Sequence, residues 1–334
     1  MAQYTNISVP DPEWAAISAN LPERAPFVSI PAFRERVAAL RAKINLTADK
    51  GATEGLTVIE RKIEVVNGEI RVRAYIPDSQ ENEVGGFPLM VWMFGGGFVV
   101  GDIDDDDVFL RNTAVHSRIV CVQGDYRKAP EYPFPAAVDD SYAALKWALS
   151  NSSELSIDIS KGFIVAGASA GGILAAVLAH RGLKDPEIKG KITGQILLIP
   201  TLISPFAYPE KFKSELLSLD KDEDKHMLTK RDFPRGYEAY HGDLHATNLE
   251  VSPLLAESFR GLPPAYIQIA GLDLLRDEAF LYERLLRDAG VPTKLDVYPG
   301  VPHGFYVVFK ELTATKKQEK DFATGLDWLL GRSS

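Results

Sequence analysis

The stretch Phe163-Ile164-Val165-Ala166-Gly167-Ala168-Ser169-Ala170-Gly171-Gly172 constrains the fold more than any other part of the chain. An apolar run of strand type stops at Gly167, and Ile173 to His180 continues as an Ala/Leu-rich helical segment. The pattern is G-x-S-x-G set between a strand and a helix, the context that motif requires. A serine hydroxyl that projects from a sharp, strained turn needs flanking positions almost free of side chain, because two backbones pass closely there. Taken alone, the stretch also fits a glycine-rich turn carrying an incidental serine. The two readings are separated by whether the rest of the chain supplies a base, an orienting acid and an oxyanion hole.

The remaining strands set the frame. Thr57 to Val66 and Glu69 to Ile76 alternate with period two around Asn67-Gly68, a hairpin signal. Pro88 to Phe94 and Arg118 to Gln123 are continuous apolar runs of the kind buried on both faces of a sheet. Further strands are expected at Ile192 to Ile199, Ala265 to Ala270 and Lys294 to Tyr298, with helices at Val108–His116, Ala136–Ser150, Glu278–Ala289 and ending near Leu330. Strands alternating with helices imply a mostly parallel sheet covered on both faces. Residues 1–55, with a helix expected over Pro31 to Ile44 (Phe33, Val37, Leu40 and Ile44 on one face), read as a segment laid over something else. Residues 200–250 break the rhythm with aromatics and the charged run Asp220 to Lys225, as an inserted cap would.

Charge and composition exclude several classes. At 334 residues, 46% hydrophobic and with a net charge of -9, the chain suits neither nucleic acid nor an anionic membrane surface. No run approaches the ~18 apolar residues of a membrane span, and Met1 to Asn6 opens no signal peptide, so a cytoplasmic location is the expectation. The single cysteine, Cys121, lies in an apolar run and reads as core. Five aspartates within residues 102–107 lack the glycine and spacing of a calcium loop and read as the N-cap and first turn of the next helix. His241 and His245 are four apart, but no acidic residue or cysteine completes a zinc set with them, and neither metal nor cofactor is expected. A homodimer is left open.

In a parallel sheet the site lies at the carboxyl ends of the strands. That rule selects Ser169, Asp273 after the strand ending at Ala270, and His303 after the strand ending at Tyr298. Their order is Ser, Asp, His. Asp277 is a rival for the acid, and Asp273 alone also fits a helix cap. Gly95-Gly96-Gly97-Phe98 after the central strand can bring backbone N–H groups close to a bound group.

With these residues in hand, the chain resembles the hormone-sensitive-lipase-like branch of the α/β-hydrolase esterases, over roughly residues 60 to 330. The family's His-Gly-Gly-Gly-Phe/Trp loop is matched by Phe94 to Phe98, and its Asp-Tyr-Arg-Leu-Ala-Pro-Glu stretch by Asp125 to Glu131. Its Phe-Pro-Ala-Ala-x-x-Asp continuation is similar to Phe134 to Asp140, and Gly-Asp-Ser-Ala-Gly-Gly to Gly167 through Gly172. Asp-x-Leu-x-Asp-Glu resembles Asp273 to Glu278, and His-Gly-Phe resembles His303 to Phe305. The resemblance implies an eight-stranded, mostly parallel sheet in a single domain over 1–334, with a helical cap from about 1–55 and about 203–245. It assigns the acid to Asp273 and implies oxyanion donors at Gly96, Gly97 and Ala170. Phe98, Phe206 and Tyr208 are candidates for substrate contact. Three departures stand out: Phe94 replaces the histidine before the glycines, Ala168 an acidic residue beside the serine, and Lys128 a leucine.

The expectation is a serine carboxylesterase for small to medium neutral esters, disfavouring anionic ones if the aspartate run lies near the pocket mouth. The altered Phe94 and Ala168 keep open a biosynthetic member of the family: an acyltransferase, lyase or cyclase using the same pocket. A non-catalytic small-molecule receptor on this fold is disfavoured because His303 is present.

Overall fold

The computed structural model describes residues 4, 6–22, 27–45, 51–81, 83–221, 226–242 and 244–332. Parts of the expected N-terminal and inserted segments (1–3, 5, 23–26, 46–50, 222–225 and 243) lie outside the described residues, as do Asn82 and Ser333-Ser334. Most of the charged run Asp220 to Lys225 is therefore not described.

Eight strands form one sheet in the order β1-β2-β4-β3-β5-β6-β7-β8. They are β1 (Leu56–Val65), β2 (Gly68–Pro77), β3 (Leu89–Met93), β4 (Val120–Gly124), β5 (Phe163–Ala168), β6 (Gly194–Leu198), β7 (Ala265–Ala270) and β8 (Thr293–Tyr298). Asn67, at φ 59, closes the β1–β2 hairpin in the left-handed conformation that asparagine tolerates. β2 pairs antiparallel with both β1 and β4, and all other pairings in the sheet are parallel.

Helices α1 (Pro12–Ser18) and α2 (Ile30–Asn45) precede the sheet, and α3 (Asp107–Ser117), α4 (Ala136–Ser150) and α5 (Ala170–Lys184) follow in its first half. Then come α6 (Ser218–Lys221), α7 (Phe233–Tyr240), α8 (Arg276–Asp288), α9 (Phe305–Val308) and α10 (Thr313–Leu329). Alternate residues of the central strands enter two separate cores. Val91, Met93 and Val165 pack with Val138, Leu174 and Leu281, from α4, α5 and α8. Met90, Trp92 and Ile164 pack with Leu110 and Phe322, from α3 and α10. Burial on both faces is why these strands are apolar throughout. Every residue of α5 from Ala170 to Ala179 is buried, which explains why that stretch is apolar throughout.

The N-terminal segment is woven into the loops at the carboxyl edge of the sheet. The Gly300 N–H donates to Ile7 O and the Asp11 N–H to Gly300 O, at 2.8 and 2.9 Å. The Asp11 side chain caps α1, which buries Trp14 against Phe309. On α2, Arg34 donates to the carbonyls of Val99 and Ala129 and forks onto Glu131. Phe33 and Val37 pack inward as their spacing predicts, but Leu40 is exposed, and the side chain of Ile44 lies outside the described residues.

The aspartate run is also used differently from expectation. Asp106 holds the N-cap position of α3 without capping it; its carboxylate accepts the Trp92 indole N–H at 2.7 Å. The remaining charges are matched locally: Asp102 and Asp105 face Arg41, Asp104 faces Arg73, and Asp107 faces Arg73 and Arg111. These ion pairs offset part of the run's negative charge within the fold. Cys121 is fully buried, as its apolar neighbours suggest.

Candidate active site

Ser169 stands between β5 and α5 at φ 54, ψ -117, a conformation costing an L-residue about 1–3 kcal/mol. The turn closes so tightly that two neighbours must lack side chains. A Cβ on Gly171 would lie 2.0 Å from Met93 O, and one on Gly167 would lie 2.3 Å from Gly171 O. The turn thus wedges its backbone onto the end of β3 and leaves the serine hydroxyl projecting. The Ser169 N–H is tied to Leu198 O at 2.9 Å. Ala168 packs its methyl group against the core cluster containing Trp92.

His303 and Asp273 come from the turns after β8 and β7. The His303 Nε2 lies 2.9 Å from Ser169 Oγ, and its Nδ1 lies 2.7 Å from Asp273 Oδ2. Asp273 is 1% exposed, and its other oxygen accepts the Leu275 N–H at 2.9 Å. With the proton on Nδ1 donated to Asp273, Nε2 is left as an acceptor aimed at the serine hydroxyl. The two turns are held against each other and against the N-terminal segment. A Cβ on Gly271 would meet Ile7 O at 2.2 Å and Gly300 N at 2.8 Å.

The rival Asp277 has other employment. Its Oδ2 accepts the N–H groups of Leu217 and Ser218, and its Oδ1 accepts from Arg276 Nε at 2.9 Å. It therefore ties α8 to the segment 217–218 rather than to His303. Glu278, next along, is buried and accepts the N–H groups of Leu202 and Ile203, both at 2.9 Å. Burial, reinforced by the nearby Asp273 charge, pushes the Glu278 carboxyl well above the usual range despite those two donors. In the sequence Glu278 stands out only as the end of a motif; its role as anchor for the chain leaving β6 depends on a contact 75 residues away.

The loop after β3 lies beside the serine: a Cβ on Gly95 would be 3.1 Å from Ala168 O and 3.5 Å from Ser169 Cβ. Gly96 and Gly97 follow with φ 127 and φ 58. Ala170 is the first residue of α5, so its N–H belongs to the helix end that has no intrahelical acceptor. Phe94, standing where the family has histidine, is fully buried and stacks on Tyr126 at 4.1 Å. The Tyr126 hydroxyl donates to Phe94 O at 2.9 Å, and Lys128 Nζ sits 5.4 Å from the Phe94 ring centre. Two of the three departures from the family pattern, Phe94 and Lys128, are thus in contact. Together they hold the start of the glycine loop by stacking and a cation over the ring.

The three expected substrate contacts separate. Phe98 is 1% exposed and lies flat on Tyr240 with ring centres 3.9 Å apart, a buried part of the loop's support. Phe206 is exposed, with its ring edge-on to His241 at 6.2 Å. Tyr208 is half-buried; burial, then the neighbouring Glu278 charge, raises its hydroxyl well above the ordinary range. Among the described residues no group of three or more His, Cys, Asp or Glu is placed to hold a metal ion.

Known proteins resemble this chain in sequence and fold. A family model for the alpha/beta hydrolase fold matches residues 90–307, more than half of the chain. The versiconal hemiacetal acetate esterase of Dothistroma septosporum is 32% identical over 271 residues, covering 81% of this chain and 82% of the relative. The chain belongs to the hormone-sensitive-lipase-like α/β-hydrolase esterases. It is a carboxylic ester hydrolase. Among solved structures, a vibralactone cyclase superposes on this esterase with a TM-score of 0.90 and 32% identity, covering 98% of this chain and 96% of its own. A bacterial heroin esterase superposes with a TM-score of 0.85 and 28% identity, covering 98% and 100%. Among the described residues no helix is long and apolar enough to cross a membrane.

Proposed function

We propose that this esterase hydrolyses small to medium neutral carboxylic esters through an acyl-enzyme on Ser169. The observation that carries the reading is the continuous chain Ser169–His303–Asp273, with spacings of 2.9 and 2.7 Å at the ends of three strands. Ser169 Oγ attacks the ester carbonyl as His303 Nε2 takes its proton. The tetrahedral oxyanion is met by the N–H groups of Gly96, Gly97 and Ala170. Its collapse expels the alcohol, which receives the proton from His303. Water, deprotonated by the same nitrogen, then releases the acid and restores the serine. Asp273 keeps the imidazole in the useful tautomer and stabilises its charged form. Each oxyanion donor contributes about 2.7–4 kcal/mol to lowering the barrier.

The segments 1–55 and about 203–245 act in this reading as a cap over the pocket, with Tyr208 and Phe206 on its acyl or alcohol side. The test is hydrolysis of p-nitrophenyl esters of graded acyl length by wild type and Ser169→Ala. Release that disappears in the variant supports the reading, and equal release by both proteins refutes it.

A second reading is supported by the structural likeness to a cyclase over 98% of the chain. The same acyl-enzyme, attacked by a hydroxyl of its own acyl group instead of water, yields a lactone. Hydroxy-acyl esters that give lactone in place of free acid with the wild type would favour it.

A further inference from the structure

Helix α7 makes an unusually close contact through Gly236. A Cβ at that position would lie 2.6 Å from the carbonyl oxygen of Gly97 and 3.7 Å from its Cα. The helix reaches this depth only because residue 236 has no side chain. The next turn of α7 grips the following residue. Tyr240 stacks flat on Phe98 at 3.9 Å and Tyr237 meets it edge-on at 5.5 Å. Phe98 is held at φ 66, which an aromatic residue adopts only when its surroundings impose it. The Tyr237 hydroxyl also pairs with Thr201 Oγ1 at 2.7 Å, and the Thr201 N–H reaches Ser169 O at 3.4 Å. One short helix therefore touches both the glycine loop and, through Thr201, the turn that carries the serine.

Gly97 is open on its side-chain side. A Cβ placed on it would find nothing within 4 Å, so that side of the residue faces open space. A glycine with open space on one side has a wide choice of backbone conformations. The contact with Gly236 and the ring stack on Phe98 narrow that choice.

We propose that α7 is a clamp on the oxyanion loop, and that Gly236 is a positioning residue which sets where the Gly97 peptide stands relative to Ser169. The proposal rests on the reading of Gly96 and Gly97 as oxyanion donors. It gives the inserted segment a catalytic consequence beyond covering the pocket: any movement of α7 moves an oxyanion donor. Misplacing a reacting group by about 1 Å costs roughly 10²-fold, and losing one donor outright about 10²–10³-fold.

The test is Gly236→Ala, measured beside wild type, Ser169→Ala and Glu238→Ala, the last on the exposed side of the same helix. Alanine is the better helix former, so the change strains only the contact with Gly97. The expected result is a fall in kcat of about 10- to 100-fold with KM nearly unchanged. Affinity for a boronic acid that forms a tetrahedral adduct on Ser169 falls in parallel. Glu238→Ala keeps the wild-type kcat. If Gly236→Ala does not fold, Tyr237→Phe reads the same clamp through Thr201, and it lowers kcat while leaving KM in place. Wild-type kcat and boronate affinity in Gly236→Ala, or in Tyr237→Phe where the former is unfolded, overturn the clamp. Activity that survives in Ser169→Ala would instead overturn the underlying serine reading, so the two failures are distinguishable.

Discussion

Replacing Asp273 by asparagine removes a charge and one acceptor while preserving shape, and the geometry dictates the consequence. The carboxylate uses both oxygens, one on the Leu275 N–H and one on His303 Nδ1. Asparagine has a single oxygen. If that oxygen keeps the Leu275 N–H, its amide N–H faces His303 and forces Nδ1 to accept. The imidazole proton then moves to Nε2, where it points at Ser169 Oγ and cannot receive the serine proton. The other orientation sets the amide N–H against the Leu275 N–H, two donors in a site that is 1% exposed. A triad acid lost this way lowers kcat by about 10⁴, which corresponds to roughly 5 kcal/mol of barrier. The assay is kcat/KM on a p-nitrophenyl ester, normalised by active-site titration, with urea unfolding in parallel. Asp277→Asn is the companion variant. It breaks a buried pair with Arg276 and so costs about 3–5 kcal/mol of stability, with kcat per folded molecule close to that of wild type. If the two variants lose activity equally, or if Asp273→Asn retains nearly wild-type turnover, the assignment of the acid is wrong.

Three further outcomes rest on particular contacts. Gly171→Ala places a Cβ 2.0 Å from Met93 O, in a fully packed turn, so the variant should be insoluble or show a far lower Tm by calorimetry. Lys128→Leu removes the cation over Phe94; with the lysine about one-quarter exposed, the loss is about 0.5–1 kcal/mol of stability by urea unfolding. His180 is largely buried, and burial, followed by the Lys184 charge, lowers its pKa to about 4. The unfolded chain binds that proton near pH 6.5 while the folded chain does not, so stability falls as pH drops from about 6.5 to about 4. The full effect is roughly 3 kcal/mol, and His180→Gln should flatten that part of the stability–pH curve.

Much of the architecture is legible in the chain because it rests on local rules. Asn67-Gly68 between alternating runs closes a tight hairpin, and apolar runs such as Leu89–Met93 demand burial on both faces. The small residues around Ser169 carry the mark of the close turn they form. Local roles mislead where a residue has a long-range partner. Asp106 sits where a cap belongs, yet its carboxylate goes to an indole on β3. Phe98 is a candidate for substrate contact in the sequence, yet its ring is buried against Tyr237 and Tyr240 of α7. Leu40 continues an apolar stripe in the sequence, yet its side chain is exposed.

The strand–turn–helix around Ser169 is the clearest case of what sequence alone determines. Its glycines, its serine and the order of Asp273 and His303 after it come from steric limits within a few residues and from strand succession, both of which are written along the chain. Which aspartate meets His303, that Lys128 lies over the Phe94 ring, and why residue 236 is glycine were decided only by tertiary structure. Gly236 and Gly97 lie far apart in sequence, and nothing near either one announces the other. Their closeness is set by how α7 settles on the aromatic ring of Phe98, and packing of that kind exists only once the sheet has assembled.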